Sequence, residues 1–161
     1  MKLRDMRPTE YDHYRSLSAD DYCADLCTSF EYSVATSRAE CERVMPATLA
    51  EAMEAPGHAM LVIEVAAQCV GYVWIHLDGP AGHLLDFIVE PAHRGLGHGR
   101  RALELIQARL RAEGAQSLQL RVAANNPRAR ALYEQAGLYV TGQLMAKTLV
   151  PTAPPGPAAG R

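Results

Sequence analysis

The sequence lacks long apolar runs, and this limits where the protein can act. Glu64, Gln68 and His76 interrupt the apolar stretches, so none approaches the roughly 20 apolar residues of a membrane-spanning helix. The charged residues at the N-terminus are not followed by an apolar segment, which predicts no signal peptide. We therefore expect a cytoplasmic protein that does not contact a membrane.

The sequence also lacks a basic excess and any cysteine spacing typical of a metal site. The formal net charge is −2, whereas a protein that binds duplex nucleic acid must neutralise phosphates. Cys23 and Cys27 lie four residues apart, but no His or Cys pair follows at the spacing of a zinc finger. We predict reduced thiols, no metal and no nucleic-acid partner.

The remaining composition is that of one globular domain. The chain has 161 residues, of which 48% are hydrophobic and 21% charged, enough to bury a core. Residues 151–161 contain four prolines and no large apolar side chain, so we predict a domain over residues 1–150 and a disordered tail.

Periodicity and breaker residues predict a mixed α/β fold. Pro46 ends or restarts a helix within residues 10–53, and Ser37 with Glu40 resembles a capping box. Residues 59–65 and 70–77 form a predicted hairpin with a turn near residues 67–68. Further predicted strands cover residues 2–7, 84–89, 117–122 and 144–149, and further helices cover 97–113 and 127–136.

The most informative stretch is the loop between the predicted strand 84–89 and the helix that follows. It reads Arg94-Gly95-Leu96-Gly97-His98-Gly99-Arg100. Glycines allow close backbone approach to a ligand, and the first amides of a helix attract anions. A dinucleotide fingerprint needs glycine where Arg100 stands, and the Gly-Lys-Ser/Thr of a P-loop is absent. The loop therefore predicts a pyrophosphate site of another kind.

Two segments resemble the GNAT superfamily of N-acetyltransferases. Residues 94–99 are similar to its acetyl-CoA signature, in which Gln or Arg precedes x-x-Gly-x-Gly/Ala. Residues 126–138 are similar to its Asn-x-x-Ala-x-x-Leu-Tyr-x-x-x-Gly-Phe segment, with Leu138 in place of the aromatic residue. The resemblance covers about residues 57–149 and is weak across the N-terminal helices. It implies an enzyme that moves an acetyl group from acetyl-CoA to a primary amine by direct attack.

The resemblance also implies an architecture and a cofactor site. The fold would be a mostly antiparallel central sheet flanked by helices, in which strands 84–89 and 117–122 are the fourth and fifth and splay apart. The pantetheine would contact the backbone of Ile88 and Val89, Asn126 and Tyr133. The pyrophosphate would contact the loop residues Arg94, Gly95, Leu96, Gly97, His98, Gly99 and Arg100.

Catalysis requires an acid and a base. Tyr133 occupies the family's general-acid position, and a phenol with a pKa near ~10 stays protonated at neutral pH. Packing of the helix against the sheet is the alternative role. Arg121 stands where some members carry an acid, so we predict Asp86 as the base, because a carboxylate in an apolar strand is costly unless paired or functional. Glu90, a water relay and a purely structural role for Asp86 remain alternatives.

The acceptor amine is not named by any motif. Residues 18–56 contain eight acidic residues and two basic ones, which favours a cationic amine, although a solvated helix face explains the same pattern. A non-catalytic acyl-CoA-binding regulatory module on the same fold is the rival function, and Tyr133 with Asn126 favours the enzyme. A homodimer is compatible with the sequence.

Overall fold

The computed structural model describes residues 1–30, 32–147 and 149. The strands are β1 (Lys2–Asp5), β2 (His58–Val65), β3 (Gln68–Asp78), β4 (Ala81–Val89) and β5 (Ser117–Leu120). The α-helices are α1 (Pro8–Ser29), α2 (Val34–Val44), α3 (Leu49–Ala52), α4 (His98–Ala112) and α5 (Pro127–Gln135). A short helical turn, Pro91–His93, connects β4 to the loop before α4.

The strands form one sheet in the order β1-β2-β3-β4-β5, antiparallel except for the parallel pair β4 and β5. This confirms the predicted mixed, mostly antiparallel sheet flanked by helices. The β2–β3 hairpin turns at Ala66 and Ala67, which have φ values of 49° and 64°, one residue earlier than predicted. Two consecutive positive φ values are typical of the tight turns that match strand twist.

Helices cover both faces of the sheet, and each face has its own core. On one face α4 buries Leu103, Ile106 and Leu110 against strand residues such as Ile75. On the other face α1 packs Tyr14 and its neighbours against Met60, Val62 and Tyr72. Each large side chain buried in this way contributes about 1.5–3 kcal/mol. Among the helices described, none is both long and apolar enough to cross a membrane.

A bulge in β4 decides which side chains face which helix. Trp74 lies opposite Asp86 and Ile75 lies opposite Leu84, so Leu85 is an extra residue without a partner on β3. One inserted residue reverses the alternation of side chains along a strand. Leu84 therefore packs in the α4-side core, whereas Asp86 contacts α1 on the opposite face.

The bulge also marks the point where β4 and β5 part. Pairing runs from Ala81 opposite Ser117 to Leu84 opposite Leu120, and β5 ends there. Residues 85–89 of β4 therefore extend beyond the paired segment. This confirms the predicted splay of the fourth and fifth strands, although β5 is two residues shorter than predicted.

The capping prediction for the second helix is wrong by one turn. Ser37 lies inside α2 and is fully buried, with its Oγ 3.3 Å from the Sγ of Cys27 on α1. The N-cap is Ser33, whose Oγ accepts a hydrogen bond from the amide of Thr36 at 3.1 Å. The two serines are one helical turn apart, so local pattern could not distinguish them, and packing against α1 decides the outcome.

The last predicted strand is not formed in the part of the chain that the structure describes. Residues 144–147 and 149 have no strand conformation, and Leu144 and Met145 are 74% and 90% exposed. Residue 148 of that strand and the predicted tail, residues 151–161, lie outside the described residues.

Candidate active site where β4 and β5 part

The loop before α4 exposes its backbone. Gly95 and Gly97 have φ values of +84° and +78°, a region that residues with a side chain rarely adopt. Beyond its own chain neighbours, a Cβ atom at either position would meet no heavy atom of the described residues within 4 Å. The backbone conformation, and not crowding, therefore requires glycine, and the space above both residues is open to a ligand.

The N-terminus of α4 presents free amides to the same space. The first intrahelical hydrogen bond runs from the Arg101 amide to the Gly97 carbonyl at 3.2 Å. The amides of His98, Gly99 and Arg100 therefore have no acceptor within the helix, and among the described residues no side chain caps this end. Amides in this arrangement attract anions through their own dipoles and through that of the helix.

The two loop arginines make different contacts. Arg94 Nε donates to the carbonyl of Val89 at 2.8 Å, and its Nη2 lies 4.0 Å from the carboxylate of Asp21 on α1. The Nε atom of Arg100 lies 3.6 Å from a carboxylate oxygen of Glu104 within α4. Both arginines flank the loop, but Arg94 is turned back onto the end of β4.

Only some of the β4 backbone faces the gap between β4 and β5. The amide of Glu90 donates to Val70 on β3 at 3.0 Å. Backbone groups alternate in direction along a strand, so Ile88 also faces β3, while Phe87 and Val89 face the gap. Of the two residues predicted to pair with a pantetheine chain, Val89 is the one whose backbone points toward that space.

Asp86 joins β4 to α1. Its Oδ2 atom accepts hydrogen bonds from Tyr14 Oη at 2.9 Å and Ser18 Oγ at 2.5 Å, and Oδ1 accepts from the Phe87 amide at 2.8 Å. Burial raises the pKa of Asp86 above its ordinary value, although the three hydrogen bonds oppose this shift. The carboxyl group therefore joins β4 to α1 through hydrogen bonds, and burial alters its acidity.

Tyr133 on α5 is half-buried and packs against the α4-side core. Burial, with a smaller effect from the nearby Asp86 carboxylate, raises the pKa of Tyr133 to about 12. The phenol therefore holds its proton firmly at neutral pH. Tyr133 packs on the α4 side of the sheet, whereas the Asp86 carboxylate faces α1 on the other side.

Asn126 has a local role that the motif did not indicate. It is the N-cap of α5, and its Oδ1 atom accepts a hydrogen bond from the Ala129 amide at 3.0 Å. The side chain is exposed, so its NH₂ group can still donate to a ligand. The N-cap was recognisable in the sequence, because Asn precedes Pro127 at the first helical position.

The alternative base Glu90, and Arg121 at the position where some family members carry an acid, both have defined partners. Glu90 Oε1 lies 3.4 Å from His13 Nε2 and 3.8 Å from Cys69 Sγ. Arg121, just after β5, donates from Nη1 to Asp25 Oδ2 on α1 at 2.7 Å. Arg121 therefore binds an acid from the helix that covers the sheet.

Side chains on one face of α1 contact residues on or next to both β4 and β5, and the sequence analysis did not identify this face. Tyr14 and Ser18 bind Asp86 on β4, Asp21 lies near the arginine of the loop, and Asp25 binds the arginine after β5. These residues are spaced by four, three and four positions, which places them on one helical face. That spacing was the available signal, but nothing local marked the polar face as functional.

The acidic excess of the N-terminal helices is partly neutralised within the fold. The engaged acids are Asp25 with Arg121, Glu40 with Arg43, and Glu51 with the amides of Ala47 and Thr48. Glu31 lies outside the described residues. No group of three or more His, Cys, Asp or Glu side chains in the described part could hold a metal ion.

Comparison with known proteins agrees with this geometry. The acetyltransferase (GNAT) family profile matches residues 20–138. The uncharacterized N-acetyltransferase YycN of Bacillus subtilis (strain 168) is 26% identical over 152 residues, 91% of this chain and 97% of YycN. The crystal structure of YycN matches with a TM-score of 0.82 over 92% of this chain and 98% of that chain. The aminoglycoside N-acetyltransferase AAC(6′)-Iy in complex with CoA shares the fold, with a TM-score of 0.58 and 14% identity over 91% of this chain and 98% of that chain. The chain belongs to the GNAT family of acetyltransferases.

Proposed function

We propose that this protein transfers an acetyl group from acetyl-CoA to a primary amine by direct attack of the amine on the thioester. The observation that carries the proposal is the gap beyond Leu85, where β4 continues after its pairing with β5 has ended. The uncapped N-terminus of α4 follows this segment of β4, Asp86 is the residue directly after Leu85, and Tyr133 interacts electrostatically with Asp86. A long cosubstrate with a pyrophosphate at one end and a thioester at the other fits this arrangement.

The binding role of each group follows from its position. The amides of His98, Gly99 and Arg100 hold the pyrophosphate. The Val89 carbonyl, which accepts from Arg94, would accept instead from an amide of the pantetheine chain. Binding then exchanges one donor for another and releases the Arg94 guanidinium toward the phosphate oxygens. The free NH₂ group of Asn126 donates to the pantetheine arm.

The reaction forms an N–C bond, breaks the C–S bond, removes a proton from the amine and delivers one to sulfur. A free alkylamine with a pKa near ~10.4 is almost wholly protonated at neutral pH, so a base is required. We assign this role to Asp86, because burial raises its pKa and so makes the carboxylate a stronger base. If Asp86 only joins α1 to β4, we expect Glu90 or a water relay to act as the base.

Tyr133 acts on the departing sulfur. A phenol with a pKa of about 12 is a much weaker acid than an ordinary thiol at ~8.5, so complete proton transfer to sulfur is unfavourable at first. A hydrogen bond from the phenol nevertheless stabilises negative charge as it develops in the transition state. Tyr133 therefore contributes by this bond and keeps its proton, and the departing CoA thiolate takes its proton from water, to which Asp86 returns the proton of the amine.

The decisive experiment measures acetyl-CoA binding by calorimetry and thiol release from acetyl-CoA across a panel of amines. The structure supplies matched variants, because Gly97 and Gly114 border opposite ends of α4 with φ values of +78° and +95° and with open space around both. Valine at either position strains the backbone by about 1–2 kcal/mol. Gly97→Val should weaken acetyl-CoA binding at least tenfold, whereas Gly114→Val should leave it unchanged.

Three other outcomes would contradict the proposal. If the wild-type protein does not bind acetyl-CoA, it is not an acetyl-CoA-dependent acetyltransferase. Normal binding by a folded Gly97→Val variant would show that the loop is not the pyrophosphate site. Tight binding with no thiol release for any amine would favour the rival function, an acyl-CoA-binding regulatory module.

A further inference from the structure

Three histidines form a continuous row across three neighbouring strands. His58 on β2 lies directly opposite His76 on β3, which in turn lies opposite His83 on β4. The rings of His58 and His76 stack with centroids 4.1 Å apart and an angle of 13°, and those of His76 and His83 with 5.9 Å and 26°. All three side chains are half-buried, so the row is partly open to solvent.

The row lies next to the proposed reaction centre, on the side away from the phosphate loop. Trp74 is opposite Asp86 and donates from Nε1 to His58 Nδ1 at 3.0 Å, which places the row on the Asp86 face of the sheet. Along β4 the order is His83, Asp86 and then Val89 at the loop. A cosubstrate that enters from the loop ends near Asp86, which leaves the His83 side of Asp86 open to the acceptor.

The row offers hydrogen-bond donors. Because Trp74 donates to Nδ1 of His58, that imidazole is in the neutral form with its proton on Nε2. Burial, and to a lesser degree the neighbouring His76, lowers the pKa of His58. Protonation of His58 is therefore favoured only when an anion lies close enough to compensate its charge.

The charged groups around the row do not supply that anion. In the described residues the one ion pair that involves histidine is His13 with Glu90, outside the row. The Asp86 carboxylate is occupied by hydroxyl groups of α1. Glu51 on α3 binds the amides at the start of its own helix, and Asp78, two residues beyond His76, is exposed at the end of β3.

We propose that the histidine row binds a carboxylate of the acyl acceptor, so that the substrate is an amine that also carries a carboxylate. This inference rests on the proposed function. A carboxylate has two acceptor oxygens and can bridge the N–H groups of neighbouring imidazoles. It also supplies the negative charge that allows the row to take up a proton. The proposal departs from the cationic acceptor expected from the acidic helices, whose charge the fold partly neutralises.

The experiment compares amines that differ only in the carboxylate. Free L-amino acids and dipeptides are assayed against their C-terminal carboxamides, with kcat/KM measured from pH 5.5 to 8.5. We expect the carboxylates to be preferred about tenfold or more near pH 6, the value of one charge-assisted hydrogen bond. Because a carboxylate binds an imidazolium more strongly than a neutral imidazole, the preference should be larger at pH 5.5 than at pH 8.5. Comparison of the free amino acids with the dipeptides shows whether the site accepts the carboxylate of an amino acid or that of a peptide C-terminus.

Variants of the row separate recognition from chemistry. His76→Gln and His83→Gln should abolish the preference and its pH dependence, while kcat/KM for the carboxamides and the KM for acetyl-CoA stay unchanged. His93→Gln, in the turn after β4 and outside the row, is the matched control and should keep the preference. The imidazole resonances of the wild-type protein are recorded by NMR against pH, with CoA bound and with each of the same dipeptides. The pKa that they report should rise only with the carboxylate form.

The outcomes distinguish this inference from the function on which it rests. If acetyl-CoA is bound and carboxylates and carboxamides are acetylated equally, the row does not recognise the acceptor, although the enzyme assignment stands. The same conclusion follows if the dipeptides do not shift the imidazole resonances. Failure to bind acetyl-CoA would instead overturn the proposed function itself.

Discussion

Replacing Asp86 by asparagine separates catalysis from structure at the centre of the site. The amide keeps one oxygen that can accept from Tyr14 and Ser18, but its NH₂ group then faces the Phe87 amide, donor against donor. A hydrogen bond to a charged group contributes about 1.5–3 kcal/mol and a neutral one about 0.5–1.5. One bond is lost and two weaken, while removal of a buried charge offsets part of the loss. We expect Asp86→Asn to lower the free energy of unfolding by about 2–4 kcal/mol.

Urea denaturation at pH 7 measures this change, and kcat/KM for acetyl transfer measured against pH tests the role as base. If Asp86 accepts the amine proton, kcat/KM should fall by about 10²–10⁴ and lose the limb that rises with pH. Tyr14→Phe is the informative control, because it keeps the carboxylate and removes a donor that lowers the pKa of Asp86. A base acts above its pKa, so the rising limb of Tyr14→Phe should move to higher pH.

Two results would refute this reasoning. A folded Asp86→Asn enzyme with wild-type kcat/KM and an unchanged pH profile would show that Asp86 only clamps α1 to β4. A Tyr14→Phe enzyme whose rising limb does not move would show that another group, such as Glu90 or a relayed water, sets that limb. In either case the loss of stability should still be observed, because it depends on the hydrogen bonds and burial of the carboxylate and not on catalysis.

Three further predictions concern the acid, the first helix and the sheet. Tyr133→Phe should lower kcat by about 10²–10³ with the affinity for CoA unchanged, and wild-type turnover with chemistry rate-limiting would contradict its role. The Arg4 guanidinium lowers the pKa of Glu10 from 4.5 to about 2, so its contribution to stability is present above pH 4.5 and is lost as the pH falls toward 2. In Glu10→Gln the urea midpoint should change less with pH over that range. A pH dependence equal to that of the wild-type protein would show that this ion pair does not contribute to it. Gly71→Ala should destabilise the fold by about 2 kcal/mol or more in urea, since its Cβ would lie 2.2 Å from the Ile88 carbonyl oxygen, and an unchanged midpoint would contradict this.

Much of this protein was predictable because its signals are local. A turn, a helix start and a phosphate-binding loop each depend on a few consecutive residues, so the hairpin and the helix after Gly97 could be read from the sequence. The two segments that resemble the GNAT superfamily are also short, and the family comparison confirms that resemblance. The roles assigned to Tyr133, Asn126 and the loop residues remain predictions until they are tested.

The sequence alone determined the order and type of most elements, because φ preferences and hydrophobic periodicity act over one or two turns of chain. Only the tertiary structure decided the contacts between distant segments. The bulge at Leu85 turns Asp86 toward α1, where Tyr14 and Ser18 bind it across about 70 residues of sequence. Strand register likewise assembles the histidine row from β2, β3 and β4. Such pairings depend on packing between whole elements, so no local pattern could specify them.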